Sequence, residues 1–513
     1  MVKIVSRKSD LAIIQAEYVA KELRKINKNI DITFIKKETQ GDIDQLTSLS
    51  SLSDVGVFTN DIRKSLLEDE SDIAVHSLKD LPVENQEGTV IASILKRGDI
   101  RDILFLKRNS FDEYNNKNIK ILTSSPRRSY NFSNFLNSLL PFEPKEIIFE
   151  DIRGNIPTRL KKLVTGDCDG LIVAKAAIDR LVQHGSGEIS NYIKNIINDL
   201  FWMIAPVSLN PSAPGQGAIA IEVNSKRKDL IELVSRINDK ETYESVLKER
   251  RILSGFGGGC HQKIGVTYEN KIFGEIFTLT GLTEDGKELK ERKIEGRKKI
   301  PWNNVDIENF FPNNIEEYKL FERQPNEKNI KKINKIRNSN LWISRDNALP
   351  EGQNIDSSNM IWTSGVKTWL KLAKKGYWVN GTADSLGEED PKISNLTNNR
   401  KWIKFTHSQV KGKYFKNPNI PENAKILSTY KLKPLSINED LSKKTHFYWM
   451  SGSAFKLALD NYPEIINSQH ACGPGNTYKY IKKYIKDDNL NILLGYEDAL
   501  GIVERSGEDD ENL

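Results

Sequence analysis

Short apolar runs alternate with helix-period segments over the first 220 residues, which predicts α/β architecture. Residues 2–6, Ile32–Ile35, Asp72–Val75, Lys120–Leu122, Ile147–Phe149 and Gly170–Ala174 read as strands. After the first, Ser9-Asp10 offers an N-cap, and Leu11, Ile14 and Tyr18 share one helical face. After the fourth, Ser125 can cap and Pro126 can take the first helical position. Beyond about residue 224 the pattern changes. Residues 228–254 predict one helical stretch, Gly255–Cys260 a break, and Ile272–Leu279 with Leu289–Ile294 a hairpin turning at Asp285-Gly286. Residues 305–340, rich in Asn, Lys and Glu, read as a linker. A second α/β-like region follows, with strands at Leu341–Ser344, Met360–Thr363, Trp402–Thr406 and Phe447–Met450, and Ser506–Leu513 reads as a disordered acidic tail.

A chain of 513 residues is too long for one core. Its 76 Lys+Arg against 70 Asp+Glu leave a net charge of +6, too little for a nucleic-acid tail or a polybasic membrane anchor. Cys168, Cys260 and Cys472 are scattered and odd in number, which argues against a disulfide framework and for a reducing compartment. The start shows no charged-then-apolar leader. The longest uncharged run, Leu200–Ile221, carries Pro206, Pro211, Pro214, Gly215 and Gly217 and cannot form an uninterrupted helix. The expectation is a cytoplasmic monomer without nucleic-acid or membrane partners.

Asp80 stands just past an apolar strand, at the edge where open α/β sheets bind ligands, with Lys79 and His76 adjacent. It can protonate a leaving group or stabilise a developing cation; equally, it can cap the turn. Arg127-Arg128 open a helix, Arg153-Gly154-Asn155 repeats the arrangement with Arg159 in the next first turn, and Arg7 follows the first strand near Ser9. Singly, each reads as a solvated arginine; together they suggest one cleft for carboxylates or phosphates. No phosphate-loop motif is present. Cys260, after a glycine run and before His261, reads either as an inert small residue or as a covalent attachment point. A metal site is not expected, because no further ligands lie nearby.

These motifs together resemble hydroxymethylbilane synthase, or porphobilinogen deaminase, of the tetrapyrrole pathway, over roughly residues 1–310. The resemblance rests on residues 72–82 (DIAVHSLKDLP), 123–128 (TSSPRR), 153–160 (RGNIPTRL), 213–218 (APGQGA) and 258–260 (GGC). It implies a dipyrromethane cofactor held through a thioether at Cys260, porphobilinogen as substrate, a linear tetrapyrrole as product, and Asp80 as the catalytic carboxylate. By the same resemblance Lys79, Ser77, Ser125, Arg127 and Arg128 bind cofactor, while Arg7, Ser9, Arg153, Arg159, Thr123, Ser124 and Gln216 bind substrate. The chain departs from the family at Val55, usually Lys; at Lys263, often Pro; and at Ala177-Ile178, usually Gly-Leu. Two other readings of the residues stay open: an α/β solute-binding or sensor protein, and a cysteine hydrolase using Cys260 and His261.

The C-terminal region resembles uroporphyrinogen-III synthase through residues 362–365 (WTSG), 376–381 (GYWVNG), 430–432 (YKL), 449–454 (WMSGSA) and 472–477 (CGPGNT). That resemblance implies two α/β lobes and a cleft containing Tyr430, Ser451, Ser453, Asn476 and Thr477; a non-catalytic appendage is the alternative. The expected fold is α/β: two periplasmic-binding-protein-like lobes (1–95 with 201–222, and 96–200), then a small α+β domain at 223–310. A linker at 311–340, a two-lobed α/β synthase-like region at 341–505 and a tail at 506–513 complete it.

Overall fold

The computed structural model describes residues 1–39, 59–83, 86–258, 262–297, 300–302, 305–315, 318–408 and 424–508. The chain divides into two compact units. The first is Met1–Asn270 with Ile276–Arg292 and Lys392–Asn398; the second is Lys271–Glu275, Lys293–Pro391 and Asn399–Leu513.

The first unit holds β1 (Val2–Arg7), β2 (Ile32–Lys37), β3 (Ile73–Ser77), β4 (Thr89–Ile94), β5 (Asp102–Lys107), β6 (Asn118–Leu122), β7 (Glu146–Glu150), β8 (Gly170–Ala174), β9 (Leu200–Ile204) and β10 (Ile219–Asn224). They form two five-stranded sheets, β2-β1-β3-β10-β4 in lobe 1 and β7-β6-β8-β5-β9 in lobe 2. The two orders are the same pattern. In each, four strands run parallel, and the one that arrives from the other lobe (β10 in lobe 1, β5 in lobe 2) lies antiparallel between its neighbours. The proline-broken run from Leu200 therefore forms β9, the return crossing and the start of β10. Among the described residues no helix is long and apolar enough to cross a membrane.

The helices are α1 (Asp10–Ile26), α2 (Asn60–Leu67), α3 (Phe111–Tyr114), α4 (Pro126–Leu139), α5 (Ile156–Thr165), α6 (Lys175–His184), α7 (Gly187–Asn198), α8 (Lys228–Ser235) and α9 (Lys240–Ser254). Helix α1 starts where expected, with Ser9 capping, and lays Ala16, Val19, Ala20 and Leu23 on Ile4, Ile73 and Val75 of the sheet. The stretch expected as one helix over 228–254 is two. The Asn238 side chain accepts the Ile94 N–H (2.8 Å) and the Asp239 N–H bonds to the Ile94 carbonyl, so the chain breaks and Asp239 caps α9. The expected hairpin is β12 (Gly274–Leu282) and β13 (Glu288–Glu295), and it gains an unforeseen neighbour, β11 (Gly265–Lys271).

In the second unit, β14 (Phe310–Phe311), β21 (His446–Trp449), β22 (Gln469–Cys472) and β23 (Leu490–Ile492) make an all-parallel sheet. The other sheet runs in the order β15 (Phe321–Pro325), β20 (Lys425–Pro434), β19 (Lys401–His407), β16 (Ser339–Ile343), β17 (Met360–Thr363) and β18 (Gly381–Thr382). Within the stretch expected as a linker, β15 is thus an antiparallel edge strand on β20. The final helix, Tyr496–Glu508, takes in the first residues of the expected tail. Cys168 and Cys472 are buried, free thiols.

Lobe 1 buries an ionised cluster. Glu222 of β10 accepts from Arg63 Nε (2.8 Å) and Thr89 Oγ1 (2.6 Å) and lies 3.0 Å from His76 Nε2. Burial alone would raise its carboxyl, but the bonds and charges of His76, Arg63 and Thr89 outweigh that and hold it down to about 2. The unfolded value is about 4.3, so the carboxylate contributes stability of order ~3 kcal/mol that is complete above pH ~4.3 and fades as pH falls through the folded value. Glu222→Gln should therefore be less stable than wild type at pH 7, with the gap closing between about pH 4 and 2 in urea unfolding; a constant gap would show that the carboxylate does not ionise in the folded protein.

Candidate active site

Three strand ends of the first unit converge on one charged region. After β3 the chain makes a single 3-10 turn, Leu78–Asp80, whose Leu78 N–H bonds to the Ala218 carbonyl (3.1 Å). Arg250 of α9 fixes the exit from this turn by donating to the carbonyls of Leu78, Leu81 (3.2 Å) and Pro82. Asp80 is thereby held half-buried in the field of Lys79 and Arg159. Burial pushes the Lys79 ammonium down and Asp80 pulls it back up, while Arg128 and Arg127 add to the fall. Arg159, whose Nε donates to the Gly154 carbonyl (2.7 Å), is lowered to about 10 by burial and then by Arg128 and Arg153. An arginine depressed by its arginine neighbours marks positive charge in excess of the carboxylates facing it.

The small polar residues of the motifs hold the loops in place. Ser9, Ser125 and Asn155 cap α1, α4 and α5 through the N–H groups of Ala12, Arg128 and Thr158. Thr123 Oγ1 accepts from Ser125 N (3.4 Å), and Ser124 Oγ exchanges bonds with the carbonyl (2.5 Å) and N–H (2.9 Å) of Ile152, clamping the loop after β6 to the loop after β7. Ser77 exchanges bonds with the Gln15 amide (2.9 and 3.2 Å). Arg7 and Arg153 are half-buried at the ends of β1 and before α5. Cys260, His261 and Val55 lie outside the described residues. In the second unit Tyr430 is buried in β20, Ser451 caps helix Gly452–Asn461 with Ser453 in its first turn, and Asn476 and Thr477 open helix Asn476–Ile481.

The residues that organise this region were not singled out from the sequence. Asp102, fully buried at the start of β5, accepts from Arg127 Nη2 (2.7 Å), Arg128 Nη2 (2.8 Å), Asn210 Nδ2 (2.9 Å) and Gln216 Nε2 (3.0 Å). Burial alone would raise its carboxyl; the two arginines beside it hold it far below the usual carboxylate range. Glu249 of α9, also fully buried, takes Arg97 in a bidentate pair (2.7 and 2.9 Å) and accepts the N–H groups of Gly215 (2.8 Å) and Tyr268 (3.0 Å). These two carboxylates tie both lobe crossings, Leu95–Arg101 and Ala205–Ala218, to lobe 2 and to β11. Where the crossings touch, Gly98 N bonds to Gly217 O (3.0 Å); Gly217 has φ +84°, and a Cβ there would meet Gly98 O at 3.0 Å. The available signal was the charge-dense stretch Arg97-Gly98-Asp99-Ile100-Arg101-Asp102 set between two apolar runs.

Arg127 also donates to Asn210 Oδ1 (3.0 Å) and the Pro211 carbonyl (2.8 Å), and Gln216 to the Ile100 carbonyl (2.7 Å). The Nε atoms of Arg127 and Arg128 remain buried without a hydrogen-bond partner among the described residues. With the excess charge of Lys79, Arg153 and Arg159, these orphaned donors fit a ligand carrying several carboxylates. Asp102→Asn leaves two buried guanidiniums without a counter-charge; it should cost about 3–5 kcal/mol in chemical denaturation, and a loss under 1 kcal/mol would show the clamp to be dispensable.

The sequence profile described as "Porphobilinogen deaminase, dipyromethane cofactor binding domain" matches residues 2–232. The probable porphobilinogen deaminase of Picrophilus torridus is 34% identical over 318 residues, covering 62% of this chain and 99% of its own. The porphobilinogen deaminase of Caldicellulosiruptor saccharolyticus is 35% identical over 299 residues, covering 58% of this chain and 93% of its own. A solved periplasmic substrate-binding protein of an ABC transporter from Coxiella burnetii aligns at TM-score 0.26 and 10% identity, over 50% of this chain and 99% of that one, too slight a likeness to carry a conclusion. The motifs around Asp80, Arg127-Arg128 and Arg153–Arg159 all fall inside the matched profile, and this chain belongs to the porphobilinogen deaminase family, with its dipyrromethane-binding domain at residues 2–232.

Proposed function

We propose that the first unit condenses four porphobilinogen molecules into hydroxymethylbilane, expelling one ammonia at each addition and consuming one water at release. The observation that carries this reading is a cluster of cations, Lys79, Arg127, Arg128, Arg153 and Arg159, that outnumbers the carboxylates Asp80 and Asp102 within it, on a chain of this family. Porphobilinogen bears acetate and propionate arms, so Arg128, Arg153 and Arg159 are suited to bind them bidentately and Lys79 as a point charge. Arg7 sits at the neighbouring strand end to add a further contact. The dipyrromethane, attached in this reading through Cys260, supplies the pyrrole acceptor at which the chain is extended. Its carboxylates fit the orphaned donors of Arg127 and Arg128.

Asp80 is, in this reading, the carboxylate that meets the developing charge, because Asp102 is taken up by Arg127 and Arg128. When the amino group of the substrate's aminomethyl arm leaves as ammonia, positive charge spreads from the remaining methylene carbon to the pyrrole nitrogen, and a preorganised carboxylate lowers the energy of that state. The backbone bonds from Arg250 and Ala218 keep Asp80 in place, so little reorganisation accompanies the reaction. Ser77, Ser124, Ser125, Thr123, Ser9 and Gln216 act in this scheme by holding the loops that carry the charged groups.

For the second unit we propose uroporphyrinogen-III synthase activity: ring closure of hydroxymethylbilane with inversion of one pyrrole and loss of one water. Two α/β sheets within that unit support it, as do the polar residues Ser451, Ser453, Asn476 and Thr477 at the carboxyl ends of β21 and β22. Gly475, beside Asn476, approaches Gly387 so closely that a Cβ on it would lie 2.5 Å from the Gly387 Cα, which brings a loop of the six-stranded sheet against this edge.

Asp80→Asn should purify with the mass of the attached cofactor yet consume porphobilinogen at least about 100-fold more slowly, from the loss of electrostatic stabilisation; near-normal consumption would remove Asp80 from the chemistry. Incubating the wild-type chain with porphobilinogen alone and resolving the oxidised products should give mainly the type III isomer. Mainly type I would leave the second unit without synthase activity.

A further inference from the structure

A second concentration of positive charge lies wholly within the second unit, at one edge of its six-stranded sheet. Strands β16, β17 and β19 run parallel and end within two residues of one another in register, beside β20, which runs parallel to them and continues to Pro434; such carboxyl ends are where open α/β sheets take ligands. Arg345 follows β16, Ser364 follows β17, His407 ends β19 and pairs in register with Tyr430 of β20, and Arg323 reaches the same place from the antiparallel edge strand β15. The His407 and Tyr430 rings are 5.8 Å apart.

Arg323 and Arg345 are exposed, and among the described residues neither guanidinium has a hydrogen-bond or ion-pair partner. The other charges nearby are already matched. Asp346 lies 3.5 Å from Lys371 and 3.9 Å from Lys375, and Lys404 pairs with Glu388 at 2.5 Å. Arg323 is lowered by burial and then by Arg345, and Tyr430 and Asp346 only partly offset this, so two like charges are held near each other without full compensation. Burial and then Lys404, Arg345 and Arg323 push His407 down to about 4, leaving a neutral imidazole at pH 7. Ser344 Oγ, beside Arg345, is buried with no hydrogen-bond partner among the described residues. The edge also adjoins the four-stranded sheet, because Tyr318 lies in the fields of both Arg345 and Tyr448 of β21.

We propose that Arg323 and Arg345, with His407, Tyr430 and Ser344 beside them, form a carboxylate-binding site that takes an acetate or propionate arm of the linear tetrapyrrole. An arriving carboxylate removes the repulsion between the two guanidiniums and accepts their donors, which lysine point charges on a flexible surface would do less specifically. The identity of the ligand rests on the synthase reading; the site itself rests on the unmatched arginines. It assigns binding and orientation of substrate to residues outside the resembling motifs, on the sheet opposite Ser451 and Asn476.

Because both side chains are exposed and have no partner among the described residues, the full-length Arg323→Gln/Arg345→Gln variant should keep the wild-type Tm and rate of porphobilinogen consumption. Its type III fraction should fall while type I rises. Equilibrium binding of uroporphyrin III should weaken at least tenfold and lose salt dependence, whereas its octamethyl ester should bind both proteins equally weakly. A wild-type isomer ratio together with wild-type uroporphyrin binding in the variant would overturn the site. If the wild-type chain itself yields only type I, the synthase reading fails and binding alone decides: a tenfold loss in the variant supports a carboxylate site, and equal binding refutes it.

Discussion

A carboxylate buried away from water is tolerable only when its charge and lone pairs are met, and Asp102 is met from two directions. The helix after β6 brings Arg127 and Arg128, and the return crossing brings Asn210 and Gln216. Remove the carboxylate and the two guanidiniums repel each other in a dry interior. Keep it, and the two arginines are fixed in one orientation, with Arg128 turned into the field shared by Lys79 and Arg159. The shape of the crossing and the charge of the site therefore follow from the same bonds. Glu249 does for Arg97, Gly215 and β11 what Asp102 does for lobe 2.

The site is electrostatically unfinished by itself. Positive charges crowded around Arg159, enough to lower its basicity, raise the free energy of the unliganded protein, and a polycarboxylate relieves this on binding. Asp102 is already taken up by Arg127 and Arg128, and Asp80 cannot neutralise the rest, so it remains a negative centre inside a positive frame. That contrast, rather than the number of arginines, separates a place where cationic character can develop from a place that merely holds anions.

The sequence revealed local chemistry well and tertiary chemistry poorly. Strand ends carrying Asp80, Arg127-Arg128 and Arg153 were legible because each motif sits within a few residues of an apolar run and a helix cap. Asp102 was not, because its partners stand 25, 108 and 114 positions away. The break between α8 and α9 was hidden for a similar reason: nothing in Arg236–Asn238 forbids helix, and Ile94 decides it. Strand β15 read as linker because an exposed edge strand, Phe-Glu-Arg-Gln-Pro, needs no apolar alternation. Arg323 lies within it, which is why the second charged cluster was invisible until the fold placed it beside Arg345.

The shared strand pattern of the two lobes carries a consequence for how the chain is made. In lobe 1, β10 separates β3 from β4, so that sheet stays open until residue 224 exists; lobe 2 has all five of its strands by residue 204. On a chain emerging from the ribosome N-terminus first, the lobe encoded second is the first able to close its sheet. Residues 1–94 meanwhile wait with two unpaired strand edges, which makes them the segment most in need of protection during synthesis.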